Sequence, residues 1–166
     1  MTVLWRAYEL RPEPVPTLDP DGDYLHRVWG AAVYPLAERL GMTLRLPPVQ
    51  PRSRLAHEAA CWAREQGRFD DWNAAVFRAF FERGEDIGRP AVLSALATTL
   101  DLDGAALLDA LAQQRHRAAV LDDERLAQRL GVSGVPAFIA NRRIAASGVK
   151  DVEALERLVA QARATS

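Results

Sequence analysis

The sequence predicts one α/β or α+β domain in which sheet-forming ends enclose a block of helices. Three observations carry that expectation. Residues 3–8, Val-Leu-Trp-Arg-Ala-Tyr, are rich in β-branched and aromatic types and hold no breaker, so they read as a strand. Apolar residues then recur at helical spacing through the middle of the chain. Near the C-terminus, residues 136–140 and 143–147 are short apolar runs around an Asn141-Arg142 turn, which reads as a β-hairpin. A lone two-stranded hairpin is marginal in water, so it is expected to share a sheet with residues 3–8.

The elements follow in order. Pro12, Pro14, Pro16 and Pro20 make the stretch after the first strand an extended loop, because proline removes donors and turns its predecessor away from helix. Asp21 to Asp23 offer caps for a helix carrying Leu25, Val28, Trp29, Ala32, Val33, Leu36 and Leu40, with Gly41 as its stop. Pro35 is expected to kink or split that helix. Residues 42–46 read as extended, and Pro47, Pro48 and Pro51 break the chain again. Ser53 caps a helix to Gln66 with Leu55, Ala59, Trp62 and Ala63 inward, ended by Gly67. Asp70 caps the next, where Trp72, Ala75, Val76, Ala79 and Phe80 share a face before Gly84. Pro90 opens a helix with Leu93, Leu96, Ala97 and Leu100. Asp103 caps one with Leu107, Leu108 and Leu111 inward. Asp122 or Asp123 caps a short helix ending at Leu130 and Gly131. After the hairpin, Asp151 and Glu153 favour a closing helix that buries Val152, Leu155, Leu158, Val159 and Ala162.

Composition sets limits. The chain has 166 residues and a formal charge of −1, so no basic stripe draws it onto nucleic acid or anionic lipid. It has no apolar run of about 18 residues, the length a membrane helix needs. It has no charged-apolar-small leader. Its one cysteine, Cys61, excludes an internal disulfide, a CxxC centre within these residues and a multi-cysteine zinc site. Lys150 is the only lysine among 21 basic residues. The arginines are scattered, which reads as composition bias and not as a phosphate site.

One segment is more specific than the rest. Gly131-Val132-Ser133-Gly134-Val135-Pro136-Ala137-Phe138-Ile139, placed before a hairpin and a closing helix, resembles the DsbA family of thioredoxin-like proteins. The likeness is greatest to its cytoplasmic FrnE-type branch. Trp5-Arg-Ala-Tyr-Glu-Leu-Arg-Pro12, Ser53-Arg-Leu-Ala-His57 and Phe77-Arg-Ala-Phe-Phe81 add weaker matches, so the resemblance covers essentially residues 1–166 as one domain. It implies a thioredoxin-like α/β fold with a helical insertion at roughly residues 53–118. It also implies a cis bond between Val135 and Pro136, with Val135 presenting its backbone N–H and C=O to an extended peptide or to glutathione. Val135 and Pro136 are therefore the candidate substrate-binding residues.

The family's first unit is a strand followed by CxxC at a helix N-terminus, where free N–H groups stabilise a thiolate. By resemblance, residues 3–8 match the family's second strand, so the N-terminal βα unit is expected to be absent. A start assigned too late, a truncated relic and a second chain filling the gap in a homo-oligomer are the three accounts, the first being preferred. The resemblance then implies a thiol–disulfide oxidoreductase domain that is inactive alone. Two rivals stand beside it. One is the glutathione-dependent branch of 2-hydroxychromene-2-carboxylate isomerases and kappa-class transferases, which use a serine in the absent unit. The other is a non-catalytic peptide-binding or interaction module.

Other chemistry-bearing residues point elsewhere. His57 and Cys61 lie four apart on one helix, as a base and nucleophile would. Mid-helix placement gives the thiolate no free N–H groups, so a small buried hydrophobe is the expected role. His26, His57 and His116 are too dispersed for a metal site, and no cofactor is expected. Asp19, Asp21 and Asp23 alternate, but Gly22 comes too early for a calcium loop. Trp72, Phe77, Phe80 and Phe81 read as packing, with an apolar wall of a substrate groove as the sharper alternative.

Overall fold

The structure, a computed structural model, describes residues 1–164. The chain divides into two compact units, Met1–Asp122 and Asp123–Ser166.

In the first unit, residues 3–8 form no strand, and the sheet of the described residues has two strands only. This corrects the expected third strand. A strand exists through its backbone ladder, and here the carbonyls of Trp5 and Tyr8 are taken by side chains instead. Arg64 donates to the Trp5 carbonyl (3.3 Å), and His57 Nε2 to that of Tyr8 (3.2 Å). Arg52 reaches the carbonyls of Arg11 (2.7 Å) and Val15 (2.6 Å) in the proline-rich loop.

Helix α1 (Asp23–Val28) runs into a π-helical turn, Trp29–Val33, and then into α2 (Tyr34–Arg39). Pro35 has no N–H for the carbonyl four residues back, and the wider turn takes up that defect within a continuous helical run from Asp23 to Arg39. Trp29 sits at the centre of an aromatic chain, 5.4 Å from Tyr34 and 6.2 Å from Phe81 between ring centroids. Ala32, expected inward, is exposed. Residues 42–46 form no strand; Arg45 N–H is bonded to the Phe81 carbonyl.

Four helices build the main core: α3 (Arg54–Glu65), α4 (Phe69–Phe81), α5 (Pro90–Thr99) and α6 (Gly104–Ala112). Trp72, Leu93, Leu107, Ala59, Ala63, Ala79 and Ala97 are wholly buried among them. The alanines keep the helix axes close, and Trp62 and Trp72 fill the space that remains. Ser53 stands at the N-cap of α3 without a side-chain bond. Helix α4 starts one residue before Asp70, which lies in its first turn, while Arg68 takes the cap position and pairs with Asp71. Leu108 faces outward.

Asp103 is the strongest local signal. Its Oδ1 accepts from the N–H groups of Ala105 (2.9 Å) and Ala106 (3.0 Å) at the start of α6. Replacing Asp103 with alanine leaves both donors to water and is expected to cost about 1 kcal/mol. A chemical-denaturation midpoint lowered with an unchanged slope is the expected result; an unmoved midpoint would show that the cap contributes nothing.

Helix α7 spans Arg117–Arg129, starting well before Asp122 and Asp123, which lie inside it and not at its cap. Its first residues belong to the first unit, with Val120 fully buried there. The expected start failed because Arg117 to Ala119 offer no stripe, only Val120 and Leu121 after two exposed alanines.

In the second unit, α7 stops at Gly131 (φ +69°), with Gly131 N–H on the Gln128 carbonyl and Val132 N–H on that of Ala127. Strands β1 (Ala137–Ala140) and β2 (Ile144–Ser147) pair antiparallel, Ala137 opposite Ser147 and Ala140 opposite Ile144. Asn141 and Arg142 take positive φ in the turn. Helix α8 (Val152–Ala164) begins on Asp151, whose Oδ1 accepts from Ala154 N–H (2.7 Å). Leu158 and Ala162 are buried, while Val152 is exposed. Packing on α8 gives the hairpin the support expected of a third strand, as one apolar helix face suffices. Asn141 Nδ2 donates to the Ala162 carbonyl (2.9 Å), tying the turn to that helix.

Candidate functional site

The entry to β1 is built by a short loop. Gly131 ends α7, residues 132–134 turn the chain, and the peptide between Val135 and Pro136 is cis. Pro136 has no N–H of its own. Its carbonyl accepts from Gly148 N–H at 2.8 Å. That bond extends the hairpin by one rung beyond the Ala137–Ser147 pair.

The rung also sets which backbone groups point where. In an antiparallel pair, hydrogen-bonded and non-bonded residues alternate. Pro136 is on the bonded side opposite Gly148, so Phe138 and Ala140 turn their backbone groups toward β2. Val135, Ala137 and Ile139 turn theirs to the opposite edge. No third strand pairs with that edge among the described residues. Val135 is 52% exposed, and among the described residues no backbone hydrogen bond engages it. Val149, next to the Gly148 donor, is exposed as well. The result is a free strand edge with an apolar side chain at its mouth. Such an edge can accept an extended backbone by strand addition.

The remaining candidates lie in the first unit. His57 and Cys61 share the α3 face that holds residues 5–9, with the His57 ring directed to the Tyr8 carbonyl. Cys61 is half-buried in mid-helix. His26 is exposed and His116 buried, 3.6 Å from a Glu65 carboxylate oxygen. Among the described residues, no group of three or more His, Cys, Asp or Glu is gathered for a metal ion. Asp19 uses its side chain on Asp21 N–H (3.0 Å), an Asx turn within the loop. Trp72 lies in the core, whereas Phe77 stacks on Phe81 with its own ring half exposed.

Sequence reasoning missed one cluster. Glu9 and Glu58 are buried carboxylates, and Glu9 is paired with Arg54. Glu58 Oε2 has no hydrogen-bond partner. Burial raises the Glu58 carboxyl above its usual range, against the pull of Arg117 and Arg54, with Glu9 adding to the rise. A signal was present: Glu58 falls three residues after Leu55 and four before Trp62, on the apolar stripe of α3.

Comparison with known proteins adds to this geometry. A family model described as a DSBA-like thioredoxin domain matches residues 1–160. The Bacillus subtilis (strain 168) protein YwbO, itself uncharacterized, is 34% identical over 145 residues, covering 82% of this chain and 70% of that one. A stretch of the Na(+)/H(+) antiporter NhaA 3 of Salinispora tropica is 34% identical over 123 residues, which is 74% of this chain but 18% of the antiporter. The crystal structure of a probable DsbA oxidoreductase from Streptomyces coelicolor superposes with a TM-score of 0.78 at 24% identity, over 97% of this chain and 75% of that one. The fold is therefore thioredoxin-like, of the DsbA kind. No described helix is long and apolar enough to cross a membrane.

Proposed function

Because the chain belongs to the DSBA-like thioredoxin domain family, we propose that it serves thiol–disulfide exchange by positioning a substrate backbone at Val135 and Pro136. The observation that carries this reading is the free edge of β1, with Val135 exposed directly before it. An extended peptide laid along that edge meets the N–H and C=O of Val135. Pro136 keeps a competing donor away from the same place. Exchange itself needs an attacking thiolate and a disulfide. These 166 residues hold a single cysteine, so they position and do not cleave. The quoted matches around residues 5–12 and 53–57 favour the FrnE-type branch, and a cytoplasmic setting accords with the scarcity of cysteine.

Titration of the isotope-labelled protein with an unstructured cysteine-containing peptide, and separately with glutathione, tests the assignment by amide shifts. The expected result is saturable movement of the Val135, Ala137 and Gly148 amides by the peptide, with no dithiol reductase turnover by the purified protein. Movement by glutathione alone would move the chain to the glutathione-dependent branch. Peptide shifts confined to the first unit, or measurable turnover, would overturn the proposal.

A further inference from the structure

The Glu9–Arg54–Glu58 cluster is unused by the proposed function, and its geometry is unusual. Two carboxylates on different segments, 5% and 2% exposed, lie close enough to act on one another; Glu9 pairs with Arg54, while Glu58 feels both charges without bonding to either. Glu9 belongs to the N-terminal segment; Arg54 and Glu58 are one turn apart on α3. That segment has no ladder to hold it. Among its other fixings to α3 are side-chain bonds at the Trp5 and Tyr8 carbonyls. The charged ion pair is the strongest of these fixings and the most deeply buried.

We propose that Glu9, Arg54 and Glu58 form a latch that holds the N-terminal segment on α3 while Glu58 carries a proton and loosens when both carboxylates are ionised. Arg54 balances one negative charge, and Glu9 takes it as a direct partner. Glu58, with one oxygen unpartnered, is accommodated as the neutral acid. Ionised, it brings a second negative charge beside Glu9 in a poorly solvated place. Arg117, reaching from α7, attracts that charge, but it is exposed and desolvation outweighs it. His57 and Cys61 on the same helix, and Glu65 two turns on with His116 beside it, are further titratable groups on this side of the unit.

The sign of the pH dependence follows. Docking holds the Glu58 carboxyl above its ordinary value, and release of the segment returns it to water. The docked state therefore binds more protons. Its advantage is complete below the ordinary carboxyl value and is lost as pH rises through the elevated one. Between those two values the opening equilibrium rises by up to about tenfold per pH unit, and above them it is flat.

Amide exchange of residues 3–12 in the full chain, corrected for the intrinsic effect of pH, reads this equilibrium. The wild type is expected to lose protection there as pH rises, while core amides near Leu93 and Leu107 stay protected. Glu58→Gln keeps the shape without the charge and should leave the segment protected at every pH. Carbon-13 detection of the Glu58 carboxyl in the wild type is the second measurement. A titration above the ordinary glutamate range supports the latch; an ordinary titration, flat wild-type protection, or an undiminished pH response in Glu58→Gln overturns it. These outcomes are independent of peptide binding at Val135.

Discussion

Trp72→Ala is expected to lower stability by about 3–5 kcal/mol, which is a large part of the roughly 5–15 kcal/mol that holds a domain of this size together. Trp72 is wholly buried where α3, α4 and α5 converge. Its neighbours are mostly helix-borne alanines, which have no side-chain length with which to refill the space. Trp72→Phe separates size from polarity. The indole Nε1 of Trp72 has no protein acceptor. Phenylalanine keeps most of the apolar volume and removes that unpaired donor, so its cost should stay within about 1.5 kcal/mol. Calorimetry or denaturant unfolding of both variants checks the pair. Equal losses would mean that the indole N–H has an acceptor and that polarity, not volume, is what alanine removes.

Gly104→Ala is the second large effect, and its sign opposes helix propensity. In an ordinary helix, alanine gains about 1 kcal/mol over glycine. At this position an added Cβ would lie 2.6 Å from Ser94 Oγ and 2.8 Å from the Ser94 carbonyl oxygen. The hydroxyl can rotate, at the expense of its bond to the Gly104 carbonyl (3.1 Å). The carbonyl is fixed in α5, so α5 and α6 must separate. The expected net loss is about 1–3 kcal/mol. A raised unfolding midpoint for Gly104→Ala would show that the two helices yield without loss.

Both variants test features that differ in how far the sequence announces them. Trp72 and Leu93 were legible as core from spacing alone, because an amphipathic helix shows its buried face in its own period. Asp103 as a cap, the acidic helix start at Asp151, Pro90 at a first turn, and Gly41, Gly67, Gly84 and Gly131 as helix stops were legible for the same reason: each rule concerns a few adjacent residues. Leu108 and Val152 share the period of their helices yet face solvent, since only the position of the next element decides how wide the buried stripe is. Gly104 gave no signal at all. A glycine at a helix start is ordinary, and its necessity appears only when α5 arrives beside it.

The chain by itself determined its helices and many of their ends, though not the start of α7, as well as the hairpin and its turn, the Val135-Pro136 entry, and the limit that a single cysteine sets on its chemistry. Tertiary structure alone decided what the backbone of residues 3–8 pairs with, and that Glu9 meets Arg54 across 45 residues of chain. The physical reason is range. Caps, turns and periodicity act over one or two turns and leave a local trace. A strand without its partner, or a carboxylate whose partner lies on another element, takes its state from whatever folding places against it.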